Sequence, residues 1–108
     1  MSPNLPKPIA ACFSADATDA AQVTRCFTEN AIVVDEQKSY KGHDAIRQWK
    51  TGSSKKYTYT SDPFASEEKD GKTVITSRVT GNFPGSPVDL RYFFGLEGDK
   101  IASLEIKL

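Results

Sequence analysis

The second half of the chain repeats one pattern, in which stretches of β-forming residues are separated by tight-turn residues. Asp70-Gly71 and Gly98-Asp99 are two-residue signals typical of β-hairpins, and Pro84-Gly85-Ser86-Pro87 marks a further turn between them. The stretches themselves alternate or carry β-branched and aromatic residues, as strands do. The pattern predicts a four-stranded antiparallel meander, with strands over residues 57–60 with 64–68, 72–83, 88–96 and 101–106.

The first half is predicted to be mainly helical, with one strand embedded in it. Apolar residues recur at helical spacing in three places, each preceded by residues that favour a helix start. Between the second and third places, Ala31-Ile32-Val33-Val34-Asp35 is typical of a buried strand that ends on a carboxylate, and residues 38–41 form a short extended piece. The predicted helices cover residues 6–17, 19–30 and 43–54, so we expect an α+β domain with helices on one face of a twisted sheet.

Charge and composition exclude several classes of function. Fourteen basic residues balance fourteen acidic ones without a long block of either sign, so the chain lacks the charge pattern of a nucleic-acid-binding protein. The N-terminus lacks a basic segment followed by an apolar stretch, and no apolar run is long enough to span a membrane. We therefore expect one cytoplasmic domain over residues 1–108, with residues 1–5 as a loose arm and without nucleic acid or membrane as a partner.

No cofactor or metal is expected from the residues that usually hold one. His43 is the single histidine, and together with Cys12 and Cys26, the two cysteines, it makes too small a set for a metal site. Neither a glycine-rich phosphate loop nor a pattern of nucleophile, base and orienting group occurs, which argues against nucleotide hydrolysis and covalent catalysis. Both cysteines are expected to be reduced core thiols, although a helical hairpin turning near Thr18 could bring them together.

Several short motifs, taken in order, resemble the SnoaL-like and ketosteroid-isomerase-like branches of the nuclear-transport-factor-2-like superfamily across nearly the whole chain. Each motif is common by itself, and their order and spacing carry the resemblance. They are Asp19 at a helix start, Phe27 towards the end of that helix, Ala31-Ile32-Val33-Val34-Asp35, Gly42 followed by Ala45-Ile46-Arg47, and Pro87-Val88-Asp89-Leu90-Arg91 with Gly98-Asp99-Lys100-Ile101.

The resemblance implies a cone-like (cystatin-like) curved antiparallel sheet with the three N-terminal helices packed on its concave face. It also implies an apolar pocket that opens at one end and takes a small hydrophobic molecule. The opposite face of the sheet commonly forms a dimer interface in this superfamily, so a homodimer is the expected assembly.

The resemblance also assigns two catalytic roles. In the ketosteroid-isomerase branch the carboxylate that ends the first strand is the general base, and this position is Asp35. Asp89 matches the aspartic acid that stabilises the oxyanion. The tyrosine that shares this role on the first helix is missing, because Ile9 stands at its position and cannot donate a hydrogen bond. Three other tyrosines could take its place: Tyr40, Tyr57 or Tyr59.

Arg91 departs from that pattern of site residues. Strand alternation places Asp89, Arg91 and Phe93 on one face, so an inward Asp89 brings Arg91 into the pocket as well. There the guanidinium would stabilise a carboxylate, an anionic ligand or a developing oxyanion. The alternative is that Arg91 pairs with Asp35 or Asp89 and has a structural role only.

Aromatic and apolar side chains supply the expected pocket walls, although such residues are more often ordinary core. His43 is expected to cap the third helix and is left out of the site. The candidate wall residues are Phe13, Phe27, Trp49, Tyr57, Tyr59, Val79 and Phe93.

Two functions fit these expectations. The first is a cofactor-independent isomerase, cyclase or hydrolase that acts on a small hydrophobic carbonyl compound or epoxide, with Asp35 as base and Asp89 or Arg91 stabilising negative charge. The second is a non-catalytic homodimeric module for ligand or protein binding, and the absence of a tyrosine at Ile9 favours it.

Overall fold

The computed structural model describes residues 5–16, 23–56 and 59–107, and within these ranges the chain forms two helices and one six-stranded curved sheet. This is the α+β class that the sequence predicts. The helices are α1 (Lys7–Asp16) and α2 (His43–Lys56), and the strands are β1 (Phe27–Asp35), β2 (Lys38–Lys41), β3 (Tyr59–Lys69), β4 (Lys72–Gly81), β5 (Val88–Glu97) and β6 (Lys100–Lys107).

The strands follow the order β2-β1-β6-β5-β4-β3 across the sheet. Strands β3 to β6 form the predicted antiparallel meander. The sheet is not antiparallel throughout, because β1 runs parallel to β6, with Val33 opposite Leu104. Strands β1 and β6 are far apart in the sequence, and no local turn signal could have predicted that they pair.

A tight turn sets the register of the hairpin formed by β3 and β4. Asp70 and Gly71 have φ angles of 53° and 78°, as expected for the predicted turn between β3 and β4. Strand β3 runs through Pro63 with a bulge between Pro63 and Ala65, so it is one strand where the sequence suggested two pieces. A proline is tolerated there because β3 is at the edge of the sheet.

The predicted second helix is only partly supported. Its residues 19–22 lie outside the described residues, and residues 23–24 are helical as predicted. Its predicted C-terminal part is wrong, because residues 27–30 belong to β1. Phe27 pairs with Ile101 of β6, and the Ile101 amide donates a 2.8 Å hydrogen bond to the carbonyl of Cys26. Pairing with β6 therefore overrides the helical spacing of the apolar residues. Among the described residues there are two helices where three were predicted.

The core lies between the two helices and the inner face of the sheet. Ile9 of α1 and Ile46 of α2 are fully buried, and each such side chain contributes about 1.5 to 3 kcal/mol of apolar burial. Val33, Phe94 and Leu104 meet them from the strands. None of the helices in the described ranges is long and apolar enough to cross a membrane.

Candidate functional site

A cavity of about 740 Å³ opens between the two helices and the inner face of the sheet. Its walls are mainly apolar and come from both helices, from strands β3 to β6 and from the β4–β5 loop. The end of β1 adds a carboxylate. The lining residues that matter below are Cys12, Phe13, Asp35, Trp49, Lys50, Tyr59, Val79, Leu90, Tyr92 and Phe94.

Asp35 and its neighbour Glu36 are the carboxyl side chains that line this cavity, and Asp35 is the one predicted from the sequence. It ends β1, directly before a two-residue turn in which Glu36 and Gln37 have φ angles of 52° and 67°. The indole nitrogen of Trp49 on α2 donates a 2.9 Å hydrogen bond to Asp35 Oδ2. Burial raises the pKa of Asp35, and the Trp49 hydrogen bond opposes this rise only in part. A carboxylate of raised pKa in an apolar cavity is a stronger base than one in water.

Lys50 and Tyr59 form a polar pair in the same cavity. Lys50 is only 3% exposed, and its Nζ donates a hydrogen bond to Tyr59 Oη. Burial lowers the pKa of Lys50 to about 8. The pKa of Tyr59 is raised to about 12, mainly by burial and further by the charges of Tyr92 and Asp35. Asp35 is thus close enough to Tyr59 to raise the pKa of its hydroxyl group.

Phe13, Tyr92 and Phe94 form an aromatic wall. The Phe13 ring meets Tyr92 edge-on, with 5.2 Å between the ring centroids, and it meets Phe94 in the same way at 6.0 Å. Burial raises the pKa of Tyr92 to about 12, so its hydroxyl stays protonated at neutral pH. This wall suits a flat hydrophobic ligand.

The two cysteines lie next to each other, and both are free thiols. A hydrogen bond from Cys12 lowers the pKa of Cys26 to about 7, and the same contact together with burial raises the pKa of Cys12. Only Cys12 lines the cavity. The expected proximity of the two residues is therefore present without a disulfide.

The structure brings five of the predicted site residues together in the cavity. They are Asp35 together with the expected wall residues Phe13, Trp49, Tyr59 and Val79.

Two expected wall residues do not line the cavity, and a third is not described. Phe27 is fully buried in the core and does not line the cavity. Phe93 is on the outer face of the sheet, beside Lys107. Tyr57 lies outside the described residues.

Asp89 and Arg91 do not join Asp35, which corrects the predicted catalytic group. Leu90, Tyr92 and Phe94 line the cavity, so the odd-numbered residues of β5 occupy the opposite face. Asp89 is exposed there and accepts hydrogen bonds from Arg78 at 3.0 and 3.4 Å. Arg91 lies on the same outer face, 5.8 Å from the Phe93 ring. The alternation that put Asp89, Arg91 and Phe93 together was right, but this face is not the cavity face.

Ile9 and His43 lie outside the cavity and have structural roles. Ile9 is fully buried in the core, so the first helix presents Cys12 and Phe13 to the cavity at this level. The His43 ring, at the start of α2, contacts the carbonyl of Phe27 at 2.9 Å, so it links α2 to β1 and does not cap α2 through this contact. Within the described ranges, no group of three or more His, Cys, Asp or Glu side chains is placed to hold a metal ion.

Sequence reasoning missed Lys50, although a signal for it was present. Lys50 is four residues after Ile46 and directly follows Trp49, so helical spacing puts it on the buried face of α2. A lysine on an apolar helix face is unusual enough to indicate a site. Its neighbour Tyr59 comes from a strand, and only the fold brings the two together.

Fold and cavity together define the class of protein: a small α+β domain whose curved sheet and helices enclose an apolar cavity with a single acidic end. Among solved structures, SMa1630 of Sinorhizobium meliloti, a candidate polyketide cyclase, has a TM-score of 0.90 and 35% identity, with 95% of each chain covered. A ketosteroid-isomerase-like protein of Catenulispora acidiphila, solved with trimethylamine, has a TM-score of 0.84 at 16% identity, over 97% of this chain and 87% of its own.

An NTF2-like protein of Cytophaga hutchinsonii has a TM-score of 0.74 at 14% identity, over 99% of this chain and 93% of its own. This protein and the Catenulispora one show the fold, whereas the Sinorhizobium protein is similar enough to show the family. The chain belongs to the NTF2-like, SnoaL-like superfamily. A scan against family models gave no match, and a search of curated proteins gave none either.

Proposed function

We propose that this protein is a cofactor-independent acid–base enzyme that isomerises or cyclises a small hydrophobic carbonyl compound bound in the cavity. The observation that carries the proposal is Asp35, a carboxylate of raised pKa, in one apolar cavity with the Lys50–Tyr59 pair. Proton abstraction beside a carbonyl requires a base and a hydrogen-bond donor within reach of one ligand, and both types of group line this cavity.

In the proposed reaction, the Asp35 carboxylate takes a proton from the carbon next to the carbonyl group. The electron pair of that C–H bond moves toward the carbonyl oxygen and forms an enolate. The Tyr59 hydroxyl, which is held by Lys50 and stays protonated because its pKa is about 12, donates a hydrogen bond to that oxygen. One such donor is typically worth about 2.7 to 4 kcal/mol of transition-state stabilisation.

The enolate then has two outcomes. In an isomerisation, protonated Asp35 returns the proton to a different carbon of the ligand. In a cyclisation, the enolate carbon attacks a second carbonyl group of the same molecule, and the alkoxide formed takes up the proton. Tyr59 thus fills the role for which Ile9 is unsuited, and Asp89 and Arg91 have no part in the reaction.

Two further observations support a carbonyl substrate. The cavity walls are apolar and aromatic, which suits a flat ring system with one or two carbonyl groups. The Sinorhizobium relative at 35% identity is a candidate polyketide cyclase, and polyketide chains carry repeated carbonyl groups.

The test uses exchange of carbon-bound protons with solvent deuterium, followed by NMR, with 2-tetralone as the probe ketone. We expect the wild-type protein to accelerate loss of the α-proton signal. Asp35→Asn keeps the size of the side chain and its ability to accept the Trp49 hydrogen bond, and it should slow the exchange by about 10²- to 10⁴-fold.

The readout separates this proposal from the second candidate, a non-catalytic binding module. Equal exchange rates in wild type and Asp35→Asn would eliminate Asp35 as the base. Binding of the ketone without any accelerated exchange would favour the binding module.

A further inference from the structure

Lys50 is buried between two aromatic rings, and its hydrogen bond to Tyr59 alone does not require such surroundings. Lys50 is 3% exposed, and its ammonium nitrogen lies 5.9 Å from the Trp49 ring centroid and 4.9 Å from the Tyr59 ring centroid. Lys50 also lines the cavity that the proposed substrate occupies. An amine is therefore presented to the ligand between two aromatic rings, in a wall that is otherwise apolar.

We propose that Lys50 is a covalent carbonyl-binding residue, which forms an imine with a hydrophobic aldehyde or ketone in the cavity. This deepens the proposed function, since it rests on the same class of ligand in the same site. It also contradicts the expectation from sequence spacing that covalent catalysis is excluded, because the nucleophile and its neighbouring hydroxyl come from α2 and β3.

The chemistry balances without a cofactor. The neutral amine of Lys50 attacks the carbonyl carbon, so that a C–N bond forms and the carbonyl electron pair moves to oxygen, which takes up a proton. The nitrogen loses one proton to give a carbinolamine, whose hydroxyl group takes up a second proton and leaves as water while the nitrogen lone pair forms the C=N bond. The protonated imine formed in this way can release its remaining N–H proton, which balances the proton taken up by the hydroxyl group. Tyr59, whose hydroxyl oxygen already contacts Lys50 Nζ, is placed to pass these protons.

Burial makes this amine available at neutral pH. Since the pKa of Lys50 is about 8, roughly one molecule in ten carries it neutral at pH 7, whereas a lysine of ordinary pKa is neutral in fewer than about one in a thousand. Besides Lys50, the titratable residues that line the cavity are Cys12 on α1, Asp35 on β1, Glu36 in the β1–β2 turn, Tyr59 on β3, Tyr92 on β5 and Lys107 on β6. Cys12 acts to raise the pKa of Lys50, but burial outweighs it.

An imine at Lys50 would also assist the base. A protonated imine attracts electrons more strongly than a carbonyl group, so the adjacent carbon loses its proton more readily. Asp35 lies in the same cavity to take that proton. The two residues would then act on one bound ligand, with Lys50 holding it and Asp35 moving its proton.

The experiment traps the imine. The wild-type protein is incubated with 2-naphthaldehyde and sodium cyanoborohydride, which reduces an imine to a stable secondary amine, and the site is located by peptide mass mapping. We expect a single adduct at Lys50, heavier by the mass of the aldehyde less one oxygen atom. Labelling of Lys50 should be at least about tenfold faster than labelling of Lys69, which is exposed and does not line the cavity.

Matched variants make the result decisive. Lys50→Met should abolish the adduct, while Lys69→Arg, at an exposed position outside the cavity, should leave labelling at Lys50 unchanged. Labelling spread evenly over the lysines, or equal labelling in Lys50→Met, would overturn the inference. Absence of labelling at Lys50 would overturn it as well.

The Asp35→Asn variant separates this inference from the proposed function. It should still be trapped at Lys50, because imine formation does not need the base. Trapping without any ketone exchange in the wild type would defeat the proposed function and leave the imine standing. Ketone exchange that depends on Asp35, without any trapping at Lys50, would overturn the imine and support the proposed function.

Discussion

Lys50 is held in the cavity at a cost to stability. Its pKa falls from 10.5 to about 8 because burial disfavours the ammonium form. That difference corresponds to about 3 kcal/mol, from which the hydrogen bond to Tyr59 recovers about 1 kcal/mol. The cost is full below about pH 8, where the ammonium form is present in both folded and unfolded states. It disappears between about pH 8 and pH 10.5, because only the unfolded chain keeps the proton there.

We therefore predict that Lys50→Met raises the free energy of unfolding by about 1 to 3 kcal/mol at pH 7. The gain should shrink as the pH rises from 8 to 10.5, since the wild type becomes more stable over that range. Urea denaturation at a series of pH values measures both effects. A variant that is less stable than wild type at pH 7 would show that Lys50 is not a strained, buried ammonium group.

Single residues also show what the sequence could and could not establish. Asp35 was found by its place at the end of a strand, and it does line the cavity. Asp89 and Arg91 were placed on a common face correctly, but alternation alone does not say which face is the inner one. Lys50 could have been found from helical spacing, because it shares the buried face of α2 with Ile46.

At the scale of elements, the turn between β1 and β2 positions Asp35. Asp35 pairs with Lys38, so the turn has two residues, and both Glu36 and Gln37 adopt left-handed φ angles of 52° and 67°. This conformation costs a residue other than glycine about 1 to 2 kcal/mol. The sequence lacks the Asn-Gly or Asp-Gly signal for such a turn, which is why it was not predicted.

Gln37→Gly should raise the free energy of unfolding by about 0.5 to 1 kcal/mol, because glycine adopts a positive φ without strain. The greater conformational freedom of glycine in the unfolded chain offsets only part of this gain. Lys38→Gly is the matched control. It places glycine in the first residue of β2 and should lower stability by a similar amount. Thermal denaturation of the two variants checks the prediction, and the same direction of change in both would contradict it.

Most element boundaries followed from local signals, and the exceptions have a common cause. Helices α1 and α2 and the four-stranded meander were expected at nearly the positions found. Phe27 was assigned to a helix because its spacing is helical, yet it pairs with Ile101 at the far end of the chain. A contact between distant segments decides its structure, and no local pattern contains that information.

At the scale of the whole molecule, the outer face of the sheet is the candidate surface for a partner. Ile32 of β1 is 39% exposed on this face, and Phe93 of β5 lies there between Arg91 and Lys107. We propose that two copies associate through this face, as the resemblance to the superfamily implies. The cavity faces the other way, so the association would leave its opening free.

Light scattering coupled to gel filtration tests this assembly. We expect a dimer for the wild type and a shift towards monomer for Ile32→Glu, because a carboxylate in an apolar interface would be desolvated. Gln48→Glu, which adds the same charge on an exposed position of α2, should remain dimeric. A monomeric wild type would contradict the proposed assembly.

The central claim is that the half-buried carboxylate of Asp35 in the cavity, and no surface carboxylate, removes a proton from a carbonyl ligand. The most direct measurement compares deuterium exchange into 2-tetralone for Asp35→Asn and for Asp89→Asn, which removes the exposed partner of Arg78. We predict a loss of about 10²- to 10⁴-fold in the first variant and a rate within about twofold of wild type in the second. Equal losses in both, or a loss confined to Asp89→Asn, would contradict the claim.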